Sequence, residues 1–336
     1  MTKYKPKIKR KYTVIGAGAM GLRYGVLLQQ AGAKVDFVDP WEPQVEAIRK
    51  QRGVFVSQDG LDKHLVPLNI YYPDEYNQKT DILIFFTKQY QLQNYLKICS
   101  HFFNSKQYVM TCMNGMGHIE KLNEYFSPNK ILAGTALMGT ILNQPGDVNF
   151  VGTKGSASMN LANETEKPDE MTYKIISDLK KAGLHPTLTK NFLGTLMVKM
   201  IVNAVTNTTC TLFKIPLGKF VFSPVGKELA VPLINEFYEV CKRSKISLLE
   251  SPEKIWEMMS NAMKNGDPLH FPSMYQDFIN HRKTEVDYIN GYIYSLGKKH
   301  HYLAKTNNFL RNLVHLAEFT QNFQLENFKK EILNKK

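Results

Sequence analysis

Cysteine is scarce in this 336-residue chain: Cys99, Cys112, Cys210 and Cys241 lie far apart, and no CxxC pair occurs. That gives little basis for a disulfide framework or a zinc site and points to a reducing, cytoplasmic setting. Histidine and cysteine show no ligand spacing, so no metal is expected. No stretch reaches the roughly 18 uninterrupted apolar residues of a membrane span. Internal repeats and low-complexity segments are missing as well. Acid is in short supply, with 30 Asp and Glu against 43 Lys and Arg, a net charge of +13.

Such a charge raises nucleic acid or an anionic membrane as a partner. It is uneven. Lys3, Lys5, Lys7, Lys9, Arg10 and Lys11 crowd the first eleven residues, and Lys329, Lys330, Lys335 and Lys336 close the chain. The start mimics the basic region of a signal peptide, but the apolar run that follows ends after four residues at Gly16, so no signal peptide fits. The basic residues ahead of the first strand read as an arm, and deleting residues 2–10 is expected to leave turnover nearly unchanged.

Composition is otherwise that of a globular protein, with 43% hydrophobic and 22% charged residues, and the length suits two domains. Strand signals at 11–15, 34–39, 81–87 and 108–113 alternate with helical patterns at 19–31 and 42–52. The runs DILIFFT and YVMTCM are continuously apolar, as parallel strands covered on both faces are. Further strands are expected at 135–141 and 148–158. Beyond about residue 190 helical patterns take over, at 192–213, 224–245, 253–264, 284–300 and from 306 onward. The expectation is an α/β fold: a Rossmann-type parallel sheet in residues 1–190 and an all-helical domain in residues 191–336.

Gly16-Ala17-Gly18-Ala19-Met20-Gly21 is a GxGxxG motif that follows a strand and opens a helix. Its glycines permit a tight turn, backbone approach to a pyrophosphate and close helix–strand packing. Asp39 ends the second strand, where an acid bonds the adenosine ribose and repels a 2′-phosphate. No arginine follows immediately, which favours NAD(H), although Arg49, Lys50 or Arg52 leaves NADP(H) open. Lys88 and Asn114 follow apolar strands, at the ends where open parallel sheets bind ligands.

Lys199, Asn203 and Asn207 recur every fourth residue on one face of a mostly apolar helix. Polar groups there need partners or a cavity. A lysine so placed can have its pKa lowered enough to act as a general acid. Ser273 and Glu285 would stand about 18 Å apart on one straight helix. Thr284-Glu285-Val286-Asp287 resembles a capping box, so a helix is expected to start at Glu285 after a turn at 281–283. His118, beside the Asn114 loop, carries no assigned role.

Together, GAGAMG at 16–21, Thr87-Lys88, NGMG at 114–117, the Lys199/Asn203/Asn207 helix, PSMYQD at 272–277 and HRKTEVDYING at 281–291 resemble the ketopantoate reductases (2-dehydropantoate 2-reductases). Order and spacing agree along nearly the whole chain. The resemblance implies a Rossmann domain, a helical domain, a cleft between them, and reversible hydride transfer from a nicotinamide to a 2-oxo acid. It makes Lys199 the general acid and Glu285 the acid that helps place Lys199 and the substrate. It assigns Asn203, Asn207 and Ser273 to substrate binding, Asn114 to the substrate–nicotinamide region and Lys88 to the vicinity of both ligands.

Two features depart from the family pattern. Asn207 is followed by Thr208-Thr209 in place of Asn-Pro, and Asp39-Pro40 replaces the basic residue typical of NADP(H)-dependent members. The related NAD-dependent D-2-hydroxyacid dehydrogenases of the D-mandelate type look similar at both points and share the pattern LH-F/Y-PSMYQD, here LHFPSMYQD at 269–277. The expected activity is reduction of a 2-oxo acid to a D-2-hydroxy acid, with ketopantoate as lead and bulky mandelate-type acids as the alternative. The remote alternative, a non-catalytic NAD sensor or nucleic-acid binder, lacks any helix-turn-helix, zinc or RRM signature. Expected partners are therefore small acids, with no nucleic acid and no membrane. A homodimer is compatible with the helical region.

Overall fold

The computed structural model describes residues 8–152 and 158–321. Two compact units divide at residue 196/197. Lys3, Lys5 and Lys7 and the four C-terminal lysines lie outside the described residues.

The first unit begins with β1 (Lys11–Ile15), α1 (Ala19–Gln30), β2 (Lys34–Val38) and α2 (Glu42–Gln51). There follow β3 (Val54–Gln58), β4 (Leu61–Val66), β5 (Asn69–Tyr71), β6 (Ile82–Phe85), α3 (Leu92–Cys99), β7 (Tyr108–Thr111) and α4 (His118–Asn123). Then come β8 (Ile131–Leu137), β9 (Gly139–Gln144), β10 (Asp147–Val151), β11 (Ser158–Asn163), α5 (Glu170–Lys181) and β12 (Pro186–Leu188). Eight strands form one sheet in the order β12-β11-β8-β7-β6-β1-β2-β5. From β8 to β5 all neighbours are parallel, and only β11 meets β8 antiparallel. The strand order reverses direction between β1 and β6, the switch point at which open sheets take ligands. β6 and β7 are buried at every position, as their unbroken apolar runs require.

A second sheet, β4-β3-β10-β9, was not anticipated. The strand expected at 135–141 divides into β8 and β9, and the one expected at 148–158 divides into β10 and β11, each pair split between the two sheets. α1 lies between the sheets, touching β1 and β2 on one side and β9 and β10 on the other. Arg23 of α1 is 3% exposed; its guanidinium donates to the carbonyls of Gly139 and Val151 and stacks 5.1 Å over Phe150. An arginine can sit so deep because its charge is met by carbonyls and a ring face.

The basic start is partly structural. Ile8 is in the core, Arg10 makes a two-pronged pair of 2.6 Å bonds with buried Asp178, and Lys11 pairs with Asp36 at 2.8 Å. Tyr12 donates to the same Asp178 at 2.8 Å. Deleting residues 2–10 therefore removes an apolar anchor and a charge partner. The expected loss is about 2–4 kcal/mol of stability. Urea unfolding of the deletion, and of Ile8→Ala and Arg10→Ala in the full chain, checks this; a change below about 0.5 kcal/mol, the scale of ordinary surface substitutions, would return these residues to a dispensable arm.

α6 (Phe192–Phe213) runs across the division into the second unit, as its apolar spacing predicts. By length and composition it could cross a membrane, yet 72% of its most apolar window is buried. The second unit continues with α7 (Leu217–Val221), α8 (Gly226–Arg243), α9 (Pro252–Asn265), α10 (Ser273–Ile279), α11 (Asn290–Lys299) and α12 (Lys305–Thr320). The helix expected to begin at Glu285 begins instead at Asn290. A short 3₁₀ turn, Val286–Tyr288, precedes it. No capping box forms. The Thr284 amide donates to Glu318 at 2.8 Å, and Asp287 accepts from His315 at 2.9 Å. Long-range partners on α12 thus outcompete the local cap.

Candidate active site

The first unit presents three loops beyond the carboxyl ends of β1, β6 and β7. The Gly16–Gly21 turn leaves β1 with Gly16 at φ +97°, a conformation that favours glycine. A Cβ at Gly16 would lie 2.5 Å from the Phe86 carbonyl oxygen, and one at Gly21 would lie 1.9 Å from the Gly16 oxygen. Gly18 differs: nothing lies within 4 Å of the place its Cβ would take. Gly18 also precedes α1 without any side-chain cap, so no capping side chain covers the first-turn amides. Ala17 is buried, while Ala19 and Met20 are half-buried in the first turn. The open face at Gly18 and the uncapped amides fit a pyrophosphate.

Asp39 follows β2 and is 4% exposed. Its carboxylate accepts from the Ala17 amide (2.6 Å), the Trp41 amide (2.8 Å) and the Tyr95 hydroxyl (3.2 Å). Burial raises its carboxyl above the usual value, and these three bonds act in the opposite direction. The charge thus anchors the glycine turn as well as marking the end of β2. Arg49, a candidate for reaching a 2′-phosphate, is occupied: it pairs with Glu75 and lies 4.8 Å over the Tyr72 ring.

Lys88 is half-buried after β6, and its carbonyl accepts from the Gln91 and Leu92 amides at the start of α3. Asn114, half-buried after β7, opens a loop in which Gly115 and Gly117 have φ of 76° and 101°. Gln89 joins the two loops, donating from Nε2 to the Asn114 carbonyl at 2.7 Å.

The second unit gathers Lys199, Asn203 and Asn207 on α6. Lys199 is half-buried, and Asn203 and Asn207 are buried. Sequence reasoning missed what steadies this helix. Thr206 and Thr208 turn their hydroxyls back onto the Val202 and Ala204 carbonyls at 2.8 and 2.7 Å. Asn290 donates to the same Ala204 carbonyl at 3.2 Å and to Asn307 at 3.1 Å; Asn307 in turn donates to the Glu236 carboxylate at 2.9 Å. This buried chain ties α11, α12 and α8 to the helix that carries Lys199.

Ser273 is exposed at the first position of α10, after Pro272. Glu285 is 8% exposed, so it is a buried carboxylate rather than a surface charge at a helix start. His270 was not singled out from the sequence. Burial lowers its pKa; Asp267 opposes the shift and the positive charge of Lys199 adds to it. The segment leading to Ser273 is therefore within electrostatic reach of Lys199. Its signal was the Leu269-His270-Phe271 lead-in to PSMYQD. All four cysteines are buried free thiols.

Two domain models describe the chain: ketopantoate reductase PanE/ApbA over residues 12–163 and the PanE/ApbA C-terminal domain over residues 191–318. A 2-dehydropantoate 2-reductase of Lactococcus lactis subsp. lactis (strain IL1403) is 32% identical over 92% of this chain and 98% of its own length. One of Streptococcus pyogenes serotype M18 (strain MGAS8232) is 30% identical over 93% of this chain and 99% of its own. Among solved structures, the ternary complex of D-mandelate dehydrogenase with NADH and anilino(oxo)acetate is similar with a TM-score of 0.87 and 30% identity, over 93% of this chain and 100% of that one. With both halves matched and relatives aligned nearly end to end, the chain belongs to the ketopantoate reductase PanE/ApbA family.

Proposed function

We propose that this chain reduces a 2-oxo acid to a D-2-hydroxy acid, with ketopantoate as the lead substrate, NADH as the preferred reductant and the cytoplasm as its place of work. Family membership makes the cofactor a nicotinamide dinucleotide and the substrate a small 2-oxo acid. The observation that carries the reading is the half-buried Lys199 above the buried Asn203 and Asn207 on α6.

When bound, the nicotinamide supplies the hydride. The chain does the rest. Negative charge builds on the keto oxygen as C2 is reduced; Lys199 stabilises that charge and donates the proton. Asn203 and Asn207 supply amide donors that orient the acid, and Ser273 supplies a hydroxyl for its carboxylate or hydroxyl group. Glu285 helps to place Lys199 and the substrate. In the first unit, Gly16, Gly18 and Gly21 let the backbone from Gly18 to Met20 approach the dinucleotide phosphates, while Asp39 holds the Ala17 amide and so fixes the turn. Lys88 and Asn114 serve the nicotinamide end.

A second reading, a D-2-hydroxyacid dehydrogenase for bulky 2-oxo acids, draws support from the likeness to D-mandelate dehydrogenase and from Asp39. A panel of ketopantoate, benzoylformate and 2-ketoisocaproate with NADH and NADPH decides between the two. Failure to turn over any of them sinks both.

The same assay tests the cofactor. A buried acid at the end of β2, where the ribose is expected to lie, and the pairing of Arg49 with Glu75 support a preference against a 2′-phosphate. Placing like charges together costs enough that kcat/KM for NADH should exceed that for NADPH by at least about tenfold. Equal values would overturn the preference. A homodimer through the second unit completes the proposal, and light scattering on the full chain tests it.

A further inference from the structure

His118 begins α4 directly after the Asn114 loop and is 0% exposed. Its Nδ1 lies 2.9 Å from Gln89 Nε2, the nitrogen that also donates to the Asn114 carbonyl. A carbonyl only accepts, so the Gln89 amide must point its NH₂ at both groups. The Nδ1 of His118 is then the acceptor and the proton sits on Nε2. The imidazole is neutral. Burial, and after it the Lys121 ammonium, hold its pKa down at about 4, so the accepting lone pair persists at neutral pH. Lys121 donates to the Gln89 backbone carbonyl at 3.1 Å. Among the described residues, His118 Nε2 has no hydrogen-bond partner, so packing alone does not account for a histidine here.

The loop that this contact secures carries two glycines. Gly115 and Gly117 stand in left-handed conformations, and glycine loops lose the most freedom on ordering. We propose that Gln89 and His118 are a positioning pair that fixes the Lys88 and Asn114 loops for cofactor and substrate, an inference resting on the roles given to those two residues above. His118 aligns the Gln89 amide, and Gln89 holds the Asn114 backbone.

Four full-length variants test this: His118→Leu, Gln89→Leu, the double variant, and His118→Asn, whose side-chain oxygen replaces the Nδ1 acceptor. The measurements are NADH affinity by fluorescence, KM and kcat for the best 2-oxo acid, and thermal unfolding. Each leucine variant should raise the NADH Kd and the acid's KM about fivefold to tenfold, the scale of one lost hydrogen bond. kcat should fall by less than KM rises. The double variant should match the worse single one, because the two residues act through each other. His118→Asn should recover most of the loss. A purely structural role would lower the melting temperature and leave Kd and KM within about twofold, which overturns the proposal, as does His118→Asn behaving like His118→Leu. If His118→Leu does not fold, Gln89→Leu compared with His118→Asn separates the same two outcomes. If no 2-oxo acid is turned over, the activity reading fails while NADH affinity still tests the pair.

Discussion

Lys199→Ala should lower kcat by about a thousandfold, the combined scale of a lost general acid and a lost oxyanion partner, while NADH affinity stays within about twofold. The separation follows from where the residue sits. Lys199 belongs to α6, whereas the glycine turn, Asp39 and the Lys88 and Asn114 loops all belong to the first unit. The alanine removes a positive charge from a helix that is otherwise buried nearly all round and leaves Asn203 and Asn207, the proposed substrate-binding amides, in place. Single-turnover reduction with saturating NADH reads the chemical step directly. Lys199→Arg keeps a charge but cannot lose a proton near neutrality, so it should restore part of substrate binding and little of kcat. Unchanged turnover in Lys199→Ala would reject its role as acid.

Gly21→Ala should cost more than activity. The added methyl would meet the Gly16 oxygen at 1.9 Å and Val14 Cγ1 at 3.1 Å. Neither can yield easily: Gly16 is pinned by the hydrogen bond its N–H donates to the Val38 carbonyl at 2.9 Å, and Val14 is in the core. Overpacking on this scale destabilises by about 3 kcal/mol and distorts the turn. NADH affinity should fall by more than about a hundredfold, the equivalent of some 2.8 kcal/mol. Gly18→Ala makes the sharp contrast. Its methyl enters open space, so the variant should melt like the parent, yet that space is where the phosphates would approach. Calorimetric unfolding together with NADH titration separates the two cases. A Gly18→Ala protein that binds NADH normally would move the dinucleotide away from this turn.

Sequence made some of this legible and not the rest, for physical reasons. β1 and α6 have the extents that periodicity predicts, because a covered strand and a buried helix leave strong apolar signatures. The glycine turn was readable because three of its positions need small residues for separate reasons. The second sheet was not. β4 reads Leu-Asp-Lys-His-Leu-Val with five of its six positions exposed, so it has no alternating face to betray it. The segment around Glu285 misled for the opposite reason. Its local capping pattern is real, but Glu318 and His315, about thirty residues away, claim the groups that would form the cap. The same holds for Gln89 and His118. Hydrogen bonds between loops twenty-five or more residues apart follow no period, so nothing in either segment announces them.

The second sheet also sets a timetable. Its central parallel pair, β3 with β10, joins segments whose Ser57 and Asn149 side chains bond across a separation of 92 residues. The first sheet's β1 must meanwhile find β6 beyond the point where β3 and β4 leave the chain. Closing a loop that long is entropically slow compared with pairing neighbours. During synthesis, β3 and β4 emerge as a hairpin whose partner strand has yet to be made. The hairpin's open edge at β3 must wait for β10, and so must Arg23 on α1, whose guanidinium donates to the carbonyls of Gly139 and Val151 in the folded chain. The nascent chain therefore carries an unpaired strand edge from the completion of β4 at Val66 until β10 begins at Asp147, an interval in which it is exposed to aggregation.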